Sequence, residues 1–242
     1  MSSQEEKSNI YNHLILLLDE SGSMESMGSE PKQSVLEFVK NFKKENNESR
    51  LTFATFNDKL STHLDNSSIE EGQLDFHYNP TGCTALFDAI TTTINNTLES
   101  KEPNTKIMVI ITDGQENSSS KYRNKKELKK LVTKVETENE WKVIFLGVNI
   151  DGFSDAHDIN INLNRISEFD QTHKGSLLEL CRTASDAANT FTRSRTNGDT
   201  QADLILPSPP PRLRKTHNPD PESNDLPPLV FSPLRREFTS NY

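Results

Sequence analysis

The chain is predicted to fold as an α/β domain, a doubly wound, Rossmann-like and mostly parallel sheet with helices on both faces and one antiparallel edge strand. Three observations predict it. The runs LILLL (14 to 18) and IMVII (107 to 111) are apolar at every position, as strands covered on both faces require. Segments of strand character alternate with helical patterns from residue 13 to residue 192. One segment, DKLSTHL (58 to 64), begins two residues after the strand before it, too soon for a crossover, so it is placed as an antiparallel edge strand.

Taken in order, HLILLLD (13 to 19) is the first strand. A helix follows, with Ser29 and Pro31 at its start and Val35, Phe38, Val39 and Phe42 on one stripe. LTFATF (51 to 56) and the edge strand come next, then a helix over ALFDAITTTI (85 to 94) and a strand over KIMVIITD (106 to 113). ELKKLVTKV (127 to 135) reads as a helix and WKVIFLGVN (141 to 149) as a strand, with Trp141 packing at its start. A last helix near 174 to 192 places Leu177, Cys181, Ala184, Ala188 and Phe191 on one face. No internal repeat is evident.

Composition divides the chain. Nine of its 12 prolines fall after residue 206, in a stretch with no apolar periodicity. The expected organisation is a polar segment over 1 to 11, one domain over 12 to 195 and a disordered Pro-rich tail over 196 to 242, whose deletion should leave the domain folded. With 27 basic and 36 acidic residues the net charge is -9, and the tail after 195 carries only five and six of these. An acidic domain argues against nucleic-acid binding. Residues 1 to 10 lack the apolar core of a signal peptide, and no apolar run is long enough to span a bilayer. A cytoplasmic protein, without a membrane partner, is expected. Cys83 and Cys181 show no metal-binding or disulfide spacing, and reduced thiols are the default. Cys83 reads as a small buried turn residue rather than a redox sensor, and the six histidines show no ligand spacing.

In such sheets ligands bind beyond the carboxyl ends of the strands. There lie Asp19-Glu20-Ser21-Gly22-Ser23, Asp113-Gly114, and Thr81-Gly82-Cys83-Thr84 at the opening of a helix. Asp19, Ser21, Ser23, Thr84 and Asp113 offer two carboxylates and three hydroxyls without imidazole or thiolate, a donor set that suits a hard cation such as Mg2+. Glycines 22, 82 and 114 permit sharp turns and close backbone approach.

This constellation resembles the metal-ion-dependent adhesion site (MIDAS) of the von Willebrand factor A family, through D-x-S-x-S, a distant Thr and a distant T-D-G, and the likeness covers nearly the whole domain. Ala85 to Ile90 also looks like the family's helix. FLGVN and the helical ending near Arg193 resemble its small intracellular members more than integrin I domains, and Asp151-Gly152-Phe153 is a departure away from the metal elements. The resemblance implies that the five residues line Mg2+, with Mn2+ the alternative, some directly and some through water. It also implies an open position for an Asp or Glu of a partner protein, hence binding and not catalysis. Two carboxylates roughly cancel a divalent charge and leave the ion able to take an external anion.

Two other functions compete with this one. A haloacid-dehalogenase-like Mg2+ phosphohydrolase also starts from an Asp after a first strand, but it needs a second Asp where Ser21 stands. A subunit of a larger chelatase-, proteasome- or RNA-protein-like assembly would still act by partner binding. Lys121, Arg123, Lys125 and Lys126 follow Asp113 and are candidates to steer an acidic partner toward the metal. Residues 207 to 212, PSPPPR, fit a ligand for an SH3-type partner, against the blander reading of a solvated spacer, and Leu229 to Phe238 form a candidate docking peptide.

Overall fold

The computed structural model describes residues 11–46, 48–69, 74–99, 105–138, 140–148 and 155–207. The Asp151 to Phe153 departure, residues 208 to 212 of the SH3-type segment and the Leu229 to Phe238 peptide lie outside them. Ten elements form the framework: β1 (Asn12–Asp19), α1 (Glu30–Glu45), β2 (Arg50–Phe56), β3 (Leu60–Ser68), α2 (Leu86–Leu98), β4 (Thr105–Ile111), α3 (Lys125–Thr137), β5 (Lys142–Gly147), β6 (Ile166–Glu168) and α4 (Ser176–Thr196). The strands make one sheet in the order β3-β2-β1-β4-β5-β6. β3 runs antiparallel to β2, as expected from the short connection, and every other pair is parallel. β6, only three residues long, has no periodicity by which a sequence could announce it.

The all-apolar runs are explained by the two cores. Along β1, Leu14, Leu16 and Leu18 enter one core with the α1 stripe and α4, whereas Ile15 and Leu17 enter the other with α2 and α3. β4 divides alike, with Ile107, Val109 and Ile111 on the first side and Met108 and Ile110 on the second. A strand sandwiched between helix layers has no polar face. The polar exception on β1 is His13, buried to 1% exposure, with Nε2 2.9 Å from Thr52 Oγ1. Burial, with Lys106 and Arg50 adding, lowers its pKa to about 4, so the ring is neutral and structural.

Helix ends are set from outside. The N-terminus of α4, with Gly175 at φ 91°, is capped by Glu30 of α1, whose carboxylate accepts the N–H groups of Gly175 (3.0 Å), Leu177 (2.9 Å) and Leu178 (3.3 Å). α1 and α4 are thereby locked together on one face of the sheet.

The packed chain continues past residue 195, the boundary expected from composition. Leu204 and Leu206 are buried in the α1–α4 core. Leu206 N–H donates to Asn164 O at 2.8 Å. Asp203 accepts from Arg165 at 3.0 Å and lies 2.7 Å from Lys142, while Arg165, itself buried, also meets Glu136 at 2.9 Å. The proline content that marks the tail starts only at residue 207, and a short D-L-I-L strand-like run before it escapes a compositional test.

Burying each leucine is worth roughly 1.5 to 3 kcal/mol. A chain ended after Pro207 should therefore unfold at a higher denaturant midpoint than one ended after Thr196, by about 3 kcal/mol or more in unfolding free energy. Equal urea midpoints would show that the 197 to 207 segment contributes nothing.

Candidate metal centre

Parallel pairing of β1 with β4 matches Leu18 to Ile111, so Asp19 ends its strand beside Thr112, and Asp113 follows. Asp19 is fully buried. Its Oδ1 accepts the Ser21 N–H at 2.7 Å and its Oδ2 accepts the Thr112 hydroxyl at 2.5 Å. Ser23 Oγ donates to Asp113 Oδ1 at 2.6 Å and lies 3.1 Å from Ser21 Oγ. A hydroxyl has one proton, so Ser21 must be the donor in that pair. The two carboxylates are thus joined through Ser21 and Ser23, whose lone pairs stay available for a cation.

The fifth residue reaches the same place. A Cβ added at Gly114 would lie 3.0 Å from Thr84 Oγ1, 3.5 Å from Ser23 Oγ and 3.7 Å from Asp19 Oδ2. Oxygens from three separate loops therefore converge on one small space, and only the missing side chain of Gly114 leaves it open. All five residues singled out from sequence are brought together. Among the described residues no three His, Cys, Asp or Glu side chains form a metal cage. The cluster has two carboxylates and completes its donor set with hydroxyls, which fits a hard divalent ion and not zinc.

The surrounding loops are stitched to one another. Tyr78 OH donates to Asp19 O at 2.9 Å, Thr81 N–H to Glu20 O at 2.8 Å, and Asn79 N–H to Glu20 Oε1 at 2.7 Å. Gly22 N–H donates to Gly82 O at 3.0 Å. Gly82 sits at φ 78°, an angle that favours glycine, and a Cβ there would fall 2.2 Å from Asp58 Oδ2 and displace the carboxylate that holds the Cys83 N–H. Thr84 is buried, its N–H held by Asn117 Oδ1 at 2.8 Å, and α2 begins only after it, with Ala85 in the capping position.

Thr112, Tyr78, Glu116 and Asn117 were not singled out from sequence. Thr112 alone had a signal, as the first residue of T-D-G. Cys83, expected to be buried, is exposed, because the turn at Gly82 points it outward while its N–H is held by Asp58. Of the basic cluster, Lys125 is taken up by Asp155 and Asp158, each at 2.9 Å, and Arg123 Nε by Ser119 O. Among the described residues, Lys121, which lies over the Tyr122 ring, and Lys126 make no side-chain hydrogen bond or ion pair, so the steering charge is smaller than the sequence suggests.

Burial raises the pKa of Asp19 from 3.8 to about 6; the Thr112 and Ser21 hydrogen bonds oppose this and the charge of Asp113 adds to it. Burial also raises Asp113, against the Ser23 hydrogen bond. Two poorly solvated carboxylates side by side are the electrostatic complement of a divalent cation.

The von Willebrand factor type A domain family matches residues 13–184 of the chain. Among curated proteins none matches. Similar solved structures include proximal thread matrix protein 1 from the mussel byssus, 16% identical with a TM-score of 0.56, covering 76% of this chain and 46% of that one. A von Willebrand factor type A protein from Catenulispora acidiphila is 14% identical at TM-score 0.53, with coverage of 74% and 43%. The pilus adhesin SpaC from Lactobacillus rhamnosus GG is 14% identical at TM-score 0.56, with coverage of 74% and 31%. The chain spans less than half the length of these structures, and at such identities the likeness concerns the fold. No helix among the described residues is long and apolar enough to cross a membrane.

The sign of the pH dependence follows from Asp19. Its folded pKa lies above the unfolded value near 4, so its contribution to stability is complete below about pH 4 and is lost as the pH rises through about 6. A cation bound beside it would favour the anionic form and restore the lost stability. Thermal unfolding should show a larger Mg2+-induced rise in Tm at pH 7.5 than at pH 5, and Asp19→Asn should abolish the difference. Equal increments at the two pH values in the wild type would contradict this electrostatic account.

Proposed function

Because the chain belongs to the von Willebrand factor type A domain family, we propose that it is a protein-binding module whose grip depends on a divalent cation held by Asp19, Ser21, Ser23, Thr84 and Asp113. One observation carries this reading: oxygens of Asp19, Ser23 and Thr84, from different segments of the chain, surround a space that the absent side chain of Gly114 leaves open, and Ser21 and Asp113 are hydrogen-bonded to Ser23 beside it. Mg2+ is the ion proposed, with Mn2+ the substitute, since both accept a compact oxygen shell. When bound, the ion offers a Lewis-acidic site to an external carboxylate.

The chain's own residues have three tasks. Asp19 and Asp113 would neutralise the ion, and the hydroxyls of Ser21, Ser23 and Thr84 would add lone pairs, those of Ser21 and Ser23 with their protons already given to Ser23 and Asp113, while Thr112 fixes the orientation of the Asp19 carboxylate. A partner supplying Asp or Glu would complete the shell, which is the reading favoured over turnover. Ser21 stands where a phosphohydrolase of this layout needs its acid, and its hydroxyl is engaged with Ser23. An intracellular setting belongs to this proposal as well.

Gly114→Ala supplies a clean test, because its Cβ would enter the space between the oxygens while the glycine φ is one that alanine adopts. The variant should stay folded by circular dichroism, with Thr84 yielding by a few tenths of an ångström, and lose Mg2+ binding in calorimetry. A protein captured by the wild type in Mg2+ should be released by EDTA and not be retained by Asp19→Ala or Gly114→Ala. Retention in all of these conditions would exclude a metal bridge.

A further inference from the structure

α2, which begins just after Thr84, has no side-chain cap of its own. A helix leaves its first N–H groups without intrahelical acceptors. Here those of Phe87 and Asp88, together with the N–H of Thr84 just ahead of the helix, are met by the loop that follows β4 and Asp113. Thr84 N–H donates to Asn117 Oδ1 (2.8 Å), Phe87 N–H to Glu116 Oε2 (2.8 Å) and Asp88 N–H to Ser119 Oγ (3.0 Å).

The exchange runs in the other direction too. Thr84 O accepts the N–H groups of Asn117 (3.0 Å) and Ser118 (3.2 Å). Asp88 accepts those of Ser120 (2.9 Å), Lys121 (3.1 Å) and Tyr122 (2.6 Å). Glu116 also closes its own loop, with Oε1 accepting from Ser118 N (3.0 Å) and Ser119 N (2.7 Å), and Oε2 from the Ser119 hydroxyl (2.7 Å). Its own N–H is held by Asp155 Oδ2 at 3.1 Å. Thr84 and Asp113 come from elements 29 residues apart in sequence, yet this clasp leaves little freedom for one to move without the other.

We infer that the clasp of Glu116 and Asn117 on Thr84 and the start of α2 is a positioning device that gives the metal site preference for a small octahedral cation over calcium. The inference rests on the metal-binding reading above. Its physical basis is the contrast between the two ions: magnesium requires near-ideal octahedral geometry at about 2.0 to 2.1 Å, whereas calcium accepts six to eight oxygens at roughly 2.3 to 2.6 Å in flexible arrangements. Neither Glu116 nor Asn117 is counted among the five proposed ligands. Their side-chain oxygens are spent on backbone N–H groups and the Ser119 hydroxyl, so Asn117 acts through Thr84 and Glu116 through the start of α2, and neither on the ion. A rigid spacing between Thr84 and Asp113 favours the ion with the stricter demand, and a loosened one expands to suit the larger ion.

The test is calorimetric titration of the full chain with Mg2+ and, separately, Ca2+, for wild type, Asn117→Ala, Glu116→Gln and Asp19→Ala, with circular dichroism to verify folding. Asn117→Ala removes the acceptor for Thr84 N–H from an exposed side chain and should fold; Glu116→Gln keeps the shape but cannot satisfy both sets of donors. Loss of such supporting contacts typically costs about 10- to 100-fold in metal affinity. The Mg2+ Kd should rise at least ~10-fold in both variants while the Ca2+ Kd changes less than ~3-fold. Mg2+ affinity within twofold of wild type, or parallel weakening of both ions, would overturn the positioning role. Wild type binding neither ion, or Asp19→Ala binding as tightly as wild type, would instead bring down the metal reading itself, and this inference with it.

Discussion

A carboxylate buried at the end of a fully buried strand is the constraint around which the rest of this domain is arranged. β1 is apolar at five consecutive positions because helices cover both of its faces, and it ends in Asp19, fully buried. An ionised carboxylate withdrawn from water costs several kcal/mol unless charge or hydrogen bonds replace the water. Ser21 and Thr112 donate directly to it, and Tyr78 ties down the backbone carbonyl of the same residue. These donors offset part of the penalty, since its pKa still stands well above the usual carboxylate range.

The topology explains why a second acid, Asp113, arrives beside Asp19 from β4. The chain passes from β1 outward to β2 and β3 and then returns on the other side of β1 to make β4. This reversal opens a crevice beyond the carboxyl ends of β1 and β4, which in open α/β sheets is the place where ligands sit. Asp113 and Gly114 enter it from β4 and Ser21 and Ser23 from β1, while Thr84 arrives on the segment that leads into α2. Fold and site are in this sense one fact: the register that seats Leu18 beside Ile111 also brings the two acids together.

What could be read from sequence follows from how each residue makes its contribution. The five oxygen donors act through their side chains at the ends of recognisable strands, so residue type and position together reveal them. The two cores likewise show in the apolar runs and in the stripes of α1 and α4. Glu116, Asn117 and Asp88 act by accepting backbone N–H groups of a distant loop, and no residue pattern foretells which N–H groups will come within reach. Asp88 shows the effect: partial burial would raise its pKa, but the N–H groups of Ser120, Lys121 and Tyr122 hold it below the usual carboxylate range. Lys125 belongs to the same class, because its capture by Asp155 and Asp158 depends on a helical turn at 155–158 that the sequence reading passed over. Leu204 and Leu206 were hidden by proximity to the proline-rich stretch, although their spacing is that of a half-buried extended segment.

The borrowed cap of α2 also bears on how the chain acquires its structure. A helix that must wait for acceptors from Glu116, Asn117 and Ser119, about thirty residues downstream and beyond an intervening strand, gains little from its own first turn. Nucleation of α2 is therefore tied to the docking of β4 against β1, a contact between segments some ninety positions apart, and such non-local pairings form slowly because their loop must close first. During synthesis the first two loops of the site emerge before the third, and they acquire their final arrangement only when β4 has entered the sheet. The cluster of five oxygen donors is in this way complete only once the central strands have found their register.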